Sequence, residues 1–242
     1  MKNILISTGG SGGHVVPATI IYQHLKATNN IFMTSDDRGV KFMENNKYNI
    51  EIINVPNISK NIFLLPLKIV ILFSLIVKSL FLLKSKKIEI LISTGGYMSF
   101  PLCLAAKILN LKIFLFEPNM VLGRSNRFFI NSCEKIFCYS DNIKKFPNNL
   151  KNKICLIPAL LRKKFYSTKI TGGIDKQINL LIIGGSQGAK LFDTVVKDLV
   201  IKLSKKYKIK IFQQTSSKNY EFLKDFYYKN EIESELFDFN EE

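Results

Sequence analysis

The heptapeptide Ile-Leu-Ile-Ser-Thr-Gly-Gly occurs twice, at residues 4–10 and 90–96, and a near variant, Leu-Leu-Ile-Ile-Gly-Gly, follows at 180–185. An aliphatic run that ends on paired glycines reads as a buried strand and a turn. Glycine, having no Cβ, lets the turn bend through positive φ or lets another group come close. After the first copy, residues 14–26 space their apolar side chains as a helix does, so the turn leads from strand into helix. Such a turn aims backbone N–H groups and the positive end of a helix dipole at one point, which favours an anionic or electron-rich oxygen. The literal repeat predicts two such turns on one edge of one sheet.

Between and after the repeats, β-rich segments at 31–34, 50–55, 88–93, 112–116, 135–139 and 154–157 alternate with helical patterns. That alternation predicts an α/β fold built from parallel β-α-β units, with ligands beyond the carboxyl ends of the strands. The basic, glycine-containing stretch 162–177 breaks the pattern and reads as a linker. It is followed by a strand at 179–183, a glycine turn, a helix at 189–205, a strand at 208–213 and a helix at 217–228. The expected division is therefore 1–161, a linker at 162–177, and 178–242. Glycine turns from both doubly wound units, facing a shared cleft, would suit a bulky phosphorylated ligand.

Composition narrows the chemistry. The four cysteines, Cys103, Cys133, Cys138 and Cys155, make neither a C-x-x-C pair nor a zinc spacing, so reduced cytoplasmic thiols are expected. With no D-x-D and no His/Cys cluster, no metal or cofactor is implied. Residues 2–6 form too short an apolar run for a signal peptide, so the amino terminus reads as mature. The net charge of +16 favours anionic lipid, nucleic acid or phosphorylated substrates. The basic residues are dispersed and carry no RNA-binding motif, so nucleic acid is not expected as a partner.

Four stretches occur together in order: GGSGGHVVP at 9–17, GGYMSFPLCLAA at 95–106, EPNMVLGRSNR at 117–127 and GGSQGAK at 184–190. This succession resembles the MurG family of peptidoglycan N-acetylglucosaminyltransferases over essentially the whole chain. The resemblance implies a GT-B fold of two Rossmann-like doubly wound domains. It also implies transfer of GlcNAc from UDP-GlcNAc to lipid I, giving lipid II, at the cytoplasmic face of the membrane. The chain differs from the family pattern in having Phe116 and Pro118 beside Glu117. It also has Pro158-Ala159-Leu160-Leu161-Arg162 for the usual GNPVR, and Gln213-Gln214-Thr215 at a later strand end. It stops at Glu242, near the middle of the family's carboxy-terminal domain, so the expectation is a folded first domain and no GlcNAc transfer by these 242 residues.

In the implied reaction an acceptor hydroxyl attacks C1 of GlcNAc as UDP leaves, which needs a base at the hydroxyl and positive potential at the diphosphate. His14 is the candidate base, with capping of the turn as the alternative. Ser11, Gly12 and Gly13 offer free amides toward the donor. By resemblance Asn119 and Arg162 meet the donor, though Arg162 also reads as a solvated linker residue. Ser186, Gln187 and Gly188 repeat the turn in the second domain, on the diphosphate or as a plain N-cap, and Asn240 aligns with a nucleotide contact.

Two other functions fit parts of the pattern. Gly10-Ser11-Gly12 begins a dinucleotide fingerprint with Val15 in place of the third glycine and Asp36 at ribose distance, as in an NAD dehydrogenase. A non-catalytic nucleotide-binding fragment is the other. Finally, residues 61–87 are apolar enough for a membrane span but are interrupted by Pro66, Lys68 and Lys78. At 100° per residue Lys68, Ser74, Lys78, Ser79 and Ser85 share an arc of about 140°. This predicts a helix lying partly on the protein and partly in an anionic membrane interface, with a buried core helix as the alternative.

Overall fold

The computed structural model describes residues 1–43, 48–56, 65–162, 165, 177–184 and 190–238. The chain divides into two compact units, Met1–Tyr166 and Ser167–Glu242.

In the first unit the strands are β1 (Asn3–Ser7), β2 (Asn30–Ser35), β3 (Ile50–Ile52), β4 (Ile90–Ser93), β5 (Lys112–Glu117), β6 (Lys135–Cys138) and β7 (Ile154–Leu156). They form one parallel sheet in the order β3-β2-β1-β4-β5-β6-β7. The order turns back at β1, so the crossover to β4 makes β1 and β4 neighbours at the topological switch point, where open α/β sheets bind ligands. The repeated heptapeptide lies there. Ile4 pairs with Ile90, Leu5 with Leu91, Ile6 with Ile92 and Ser7 with Ser93, so both glycine turns leave the sheet side by side.

Side chains alternate across the strands and bury both faces. Leu5, Leu91 and Leu115 face a core closed by Leu82 and Leu83 of α3 (Leu65–Ser85) and by Leu102, Ala105 and Ala106 of α4 (Phe100–Ile108). Ile6 and Met33 face the other side, against Val15 and Ala18 of α1 (Gly12–Leu25). Short helices α2 (Asp37–Val40) and α5 (Arg124–Phe129) follow β2 and β5.

The second unit has β8 (Gln177–Ile182), α6 (Lys190–Ser204), β9 (Lys208–Gln214), α7 (Ser217–Lys229) and β10 (Glu233–Phe237), with parallel strand order β10-β9-β8. The sequence reading had no strand at β10, because its Glu-Ser-Glu beginning is polar. Glu233 sits in register with Lys210 and bonds it at 2.8 Å, the kind of charged edge that still pairs on one side. That bond holds the Glu233 carboxyl below its ordinary pKa and the Lys210 ammonium above its own.

Helix α3 keeps the expected polar arc in part: Ser74, Lys78 and Ser85 are exposed, whereas Ser79 and Lys68 depart from it. Ser79 is buried, with its hydroxyl donating to Leu75 O at 2.7 Å, and Ser74 and Ser85 donate to Ile71 O and Leu82 O. Serines that bond back into their own helix need no water-facing side, so they do not mark one. Lys68 is half-buried, whereas Val70, Phe73 and Phe81 are 64%, 67% and 70% exposed. Only Ser79, Leu82 and Leu83 of the helix are buried, so among the described residues most of it lacks the cover of a core helix. Its 21 residues are long and apolar enough to cross a membrane by length and composition. Residues 61–64 of the apolar stretch lie outside the described residues.

Burial pushes the thiols of Cys103 and Cys138 up to about 12 and raises that of Cys133, while Cys155 is partly exposed. Thiolate is the reactive form, so Ellman's reagent at pH 8 is expected to modify Cys155 alone until denaturant is added. Rapid native reaction of more than one thiol would contradict this packing.

Candidate functional site

The first glycine turn delivers a histidine. Ser11 opens α1 in an extended conformation and makes no side-chain cap, so its hydroxyl leaves the first amides of the helix to other partners. His14, one turn in, reaches across to the second glycine turn, where its Nδ1 lies 2.6 Å from Thr94 O. A carbonyl only accepts, so Nδ1 carries a proton and in the neutral ring the lone pair lies on Nε2. This fixes the tautomer that a general base requires. The ring fits because Gly95 and Gly96, at φ of +90° and +81°, have no side chains: a Cβ on Gly95 would stand 3.2 Å from His14 Cε1. The repeat therefore has two different uses, the first copy presenting the imidazole and the second giving it a partner and a floor. Below them Thr94 Oγ1 donates to Thr8 Oγ1 at 2.8 Å and joins the two turns.

Two buried carboxylates frame the histidine. Glu117, at the end of β5, accepts at Oε1 from Asn119 N and Nδ2 and at Oε2 from Gly123 N and Asn126 Nδ2, over 2.8–3.1 Å. Four donors on one carboxylate offset its desolvation and hold the Pro118–Gly123 loop to the strand end. Asn126 also donates to Phe116 O at 3.0 Å and lies against Gly95, and its Oδ1 is buried with no partner among the described residues. Phe116 itself is fully buried, edge-on to Tyr139 at 5.5 Å, so this departure from the family motif belongs to the core.

The second carboxylate, Asp36, follows β2. Its Oδ1 accepts from Gly10 N at 2.7 Å and Gly39 N at 2.9 Å, and its Oδ2 meets Arg38 Nε at 3.0 Å. Both oxygens already hold protein donors, so a ribose diol would have to displace them, and the dehydrogenase reading loses its acidic residue.

The structure brings His14, Ser11, Gly12, Gly13 and Asn119 to one edge of the first sheet, with Asn119 exposed and its amide folded back onto Glu117. Arg162 lies half-buried at the end of the first unit. Ser186, Gln187, Gly188 and Asn240 lie outside the described residues. What precedes and follows their turn is described: Gly184 N donates to Gln214 Oε1 at 3.1 Å. Asp193 of α6 accepts from Gln213, Thr215 and Asn219, and Tyr227 donates to Gln213 Oε1 at 2.6 Å. The Gln213 amide serves as donor to Asp193 and acceptor from Tyr227 at once.

Sequence reasoning missed Thr94, Arg38, Tyr97 and Asn126, and took Asp36 only as a ribose ligand. The available signal was position: Asp36 and Glu117 both fall where a parallel strand meets its loop.

The glycosyltransferase family 28 N-terminal domain profile matches residues 4–138, and its C-terminal domain profile matches residues 179–242. A Pelagibacter ubique UDP-N-acetylglucosamine--N-acetylmuramyl-(pentapeptide) pyrophosphoryl-undecaprenol N-acetylglucosamine transferase is 59% identical over 241 residues, covering 100% of this chain and 68% of the relative. The protein of the same description from Wolbachia of Drosophila simulans is 35% identical, over 98% of this chain and 66% of the relative. The crystal structure of Acinetobacter baumannii MurG superposes with a TM-score of 0.71 at 20% identity, covering 99% of this chain and 66% of that one. The chain thus spans about two thirds of the length of these relatives.

Proposed function

The chain belongs to glycosyltransferase family 28, in its MurG branch, and from that premise we propose that it transfers GlcNAc from UDP-GlcNAc to lipid I, forming lipid II. The observation that carries this reading is the 2.6 Å approach of His14 Nδ1 to Thr94 O. With Nδ1–H engaged by Thr94 O, Nε2 takes the proton of the acceptor sugar hydroxyl. The hydroxyl oxygen bonds to C1 of GlcNAc from the face opposite the leaving group, and the C1–O bond to the diphosphate breaks with its electron pair leaving on UDP. The anomeric centre inverts in one displacement.

The amides of Ser11, Gly12 and Gly13 at the start of α1 present partial positive charge toward the donor. By resemblance to the family, Asn119, which Glu117 holds, and Arg162 contact the donor, Ser186, Gln187 and Gly188 serve its diphosphate, and Asn240 serves the nucleotide. Transfer of labelled GlcNAc to lipid I by the full-length protein tests the reading, and absence of labelled lipid II from an otherwise folded enzyme refutes it.

The acceptor's lipid tail remains in the bilayer, so the enzyme works peripherally on the cytoplasmic face of the membrane. The exposed Val70, Phe73 and Phe81 of α3 enter the interface, flanked by Lys78, Lys84 and Lys87. Binding to phosphatidylglycerol vesicles is expected to weaken with added salt, because exposed charges are screened within about 8 Å at physiological ionic strength. It is expected to weaken further in a Val70→Glu, Phe73→Glu double variant. Binding indifferent to both changes would remove α3 from the interface.

A further inference from the structure

We propose that Asp36 is a positioning residue for the transfer reaction, clamping the first glycine turn in its reactive shape, and that Arg38 and Tyr97 strap that turn to the second. The inference goes beyond the assignment of His14 and rests on the proposed reaction only for its kinetic arm. β2 pairs with β1 in register, Thr34 opposite Ser7, so the residues after each strand emerge together. There the chain wraps around one carboxylate, 2% exposed as a residue, which fills the hydrogen-bonding demand of Gly10 N–H and Gly39 N–H and pairs with Arg38.

The fit is close. A Cβ on Gly9 would stand 2.7 Å from Asp36 Oδ1, and one on Gly39 would stand 2.9 Å from Gly9 Cα. Arg38 then donates through Nη2 to the hydroxyl of Tyr97, and its guanidinium lies 5.3 Å from the centre of that ring. Tyr97 begins the 3₁₀ turn directly after Gly96, on the segment that also carries the Thr94 partner of His14. One carboxylate therefore joins the turns after β1, β2 and β4.

The clamp matters because glycines do not hold a shape by themselves. Gly9 and Gly10 sit at φ of +152° and +83°, and a run of glycines has many other conformations open to it. Gly10 precedes His14 by four residues, and Ser11 N–H returns to Gly9 O at 3.1 Å, so the aim of the imidazole and of the Ser11–Gly13 amides depends on how Gly9 and Gly10 are held. A misplacement of about 1 Å at such a centre costs on the order of 10²-fold in rate.

Three variants of the full-length protein test this. Asp36→Ala is expected to lower kcat by about 10² with the KM for UDP-GlcNAc within about threefold, whereas Asp36→Asn, which still accepts from both amides, loses less than about tenfold. Amide hydrogen exchange at residues 9–14 is expected to accelerate at least about tenfold in Asp36→Ala and much less in Asp36→Asn, in step with loss of the two hydrogen bonds. Tyr97→Phe removes one hydroxyl from a partly exposed ring and covers the case in which Asp36→Ala does not fold. It is expected to lower kcat by about three- to tenfold with an unchanged melting temperature.

Equal kcat in all three variants and the wild type, or exchange at residues 9–14 unaltered by Asp36→Ala, overturns the proposal. So does a uniform fall in stability with normal turnover per folded molecule, since that describes a structural carboxylate only. If the wild type transfers no GlcNAc, the proposed reaction fails while the exchange measurement still decides the clamp.

Discussion

Replacing His14 with alanine in the full-length protein is expected to lower kcat by about 10² to 10⁴ while leaving the KM for UDP-GlcNAc nearly unchanged, the loss typical of a missing general base. The reasoning runs through the second ring nitrogen. Thr94 O engages Nδ1 at 2.6 Å, so in the neutral ring the lone pair lies on Nε2, the atom that meets the acceptor hydroxyl as a base. The competing role is also structural in origin: the same bond ties two turns 80 residues apart. A residue that served only as that tie would, when lost, lower the melting temperature and leave turnover per folded molecule intact. Near-normal kcat in His14→Ala, whatever its stability, would therefore assign His14 to the tie and move the search for the base elsewhere.

The parts of this arrangement visible in the sequence are those set by local repetition. The heptapeptide repeat predicted two glycine turns on one sheet edge, because identical alternation of buried side chains places identical residues at equivalent depths, and the in-register pairing of 4–7 with 90–93 has that cause. Most strand and long-helix positions, β10 excepted, were legible for the same reason, since periods of 2 and 3.6 survive in the sequence wherever one face is buried. Three features were not. Asp36 and Tyr97 are joined through Arg38 across two separate loops, and no spacing in a single chain announces a contact between residues 38 and 97.

Glu117 could be seen as a polar end to an apolar strand, but not as an acceptor of four hydrogen bonds, because its donors are two backbone amides and two asparagine side chains whose direction depends on the loop's path. The serines of α3 misled in the opposite direction. A helical projection treats every hydroxyl as seeking water, while Ser74, Ser79 and Ser85 spend theirs on carbonyls three or four residues back. Ser74 and Ser85 nevertheless stay exposed, beside Val70, Phe73 and Phe81, and only Ser79 leaves the projected polar side. Lys78 is within 3.7 Å of Glu51, and Lys86 lies over the Phe32 ring at 5.5 Å.

The remaining large effect is expected at Gly95, where a single methyl group should damage catalysis by way of the histidine. Gly95 sits at φ +90°, outside the comfortable range of L residues, and a Cβ there would press on His14 Cε1 at 3.2 Å, Asn126 Nδ2 at 3.3 Å and His14 Nδ1 at 3.4 Å. The backbone alone costs on the order of 1–3 kcal/mol in such a conformation, so Gly95→Ala is expected to lower the melting temperature measurably. The imidazole can yield only by lengthening its bond to Thr94 O, and Asn126 can yield only by loosening its hold on Glu117 and Phe116 O. Either response moves the base, and kcat is expected to fall by about 10² in the folded fraction. The double variant separates this route from general loosening. If Gly95→Ala acts through the position of His14, then adding it to His14→Ala should reduce the residual rate by no more than about threefold, because the group it displaces is already gone and the two effects cannot add. A further hundredfold loss in the double variant would show that Gly95 protects something other than the histidine, with Asn126 and its buried Oδ1 the next residue to test.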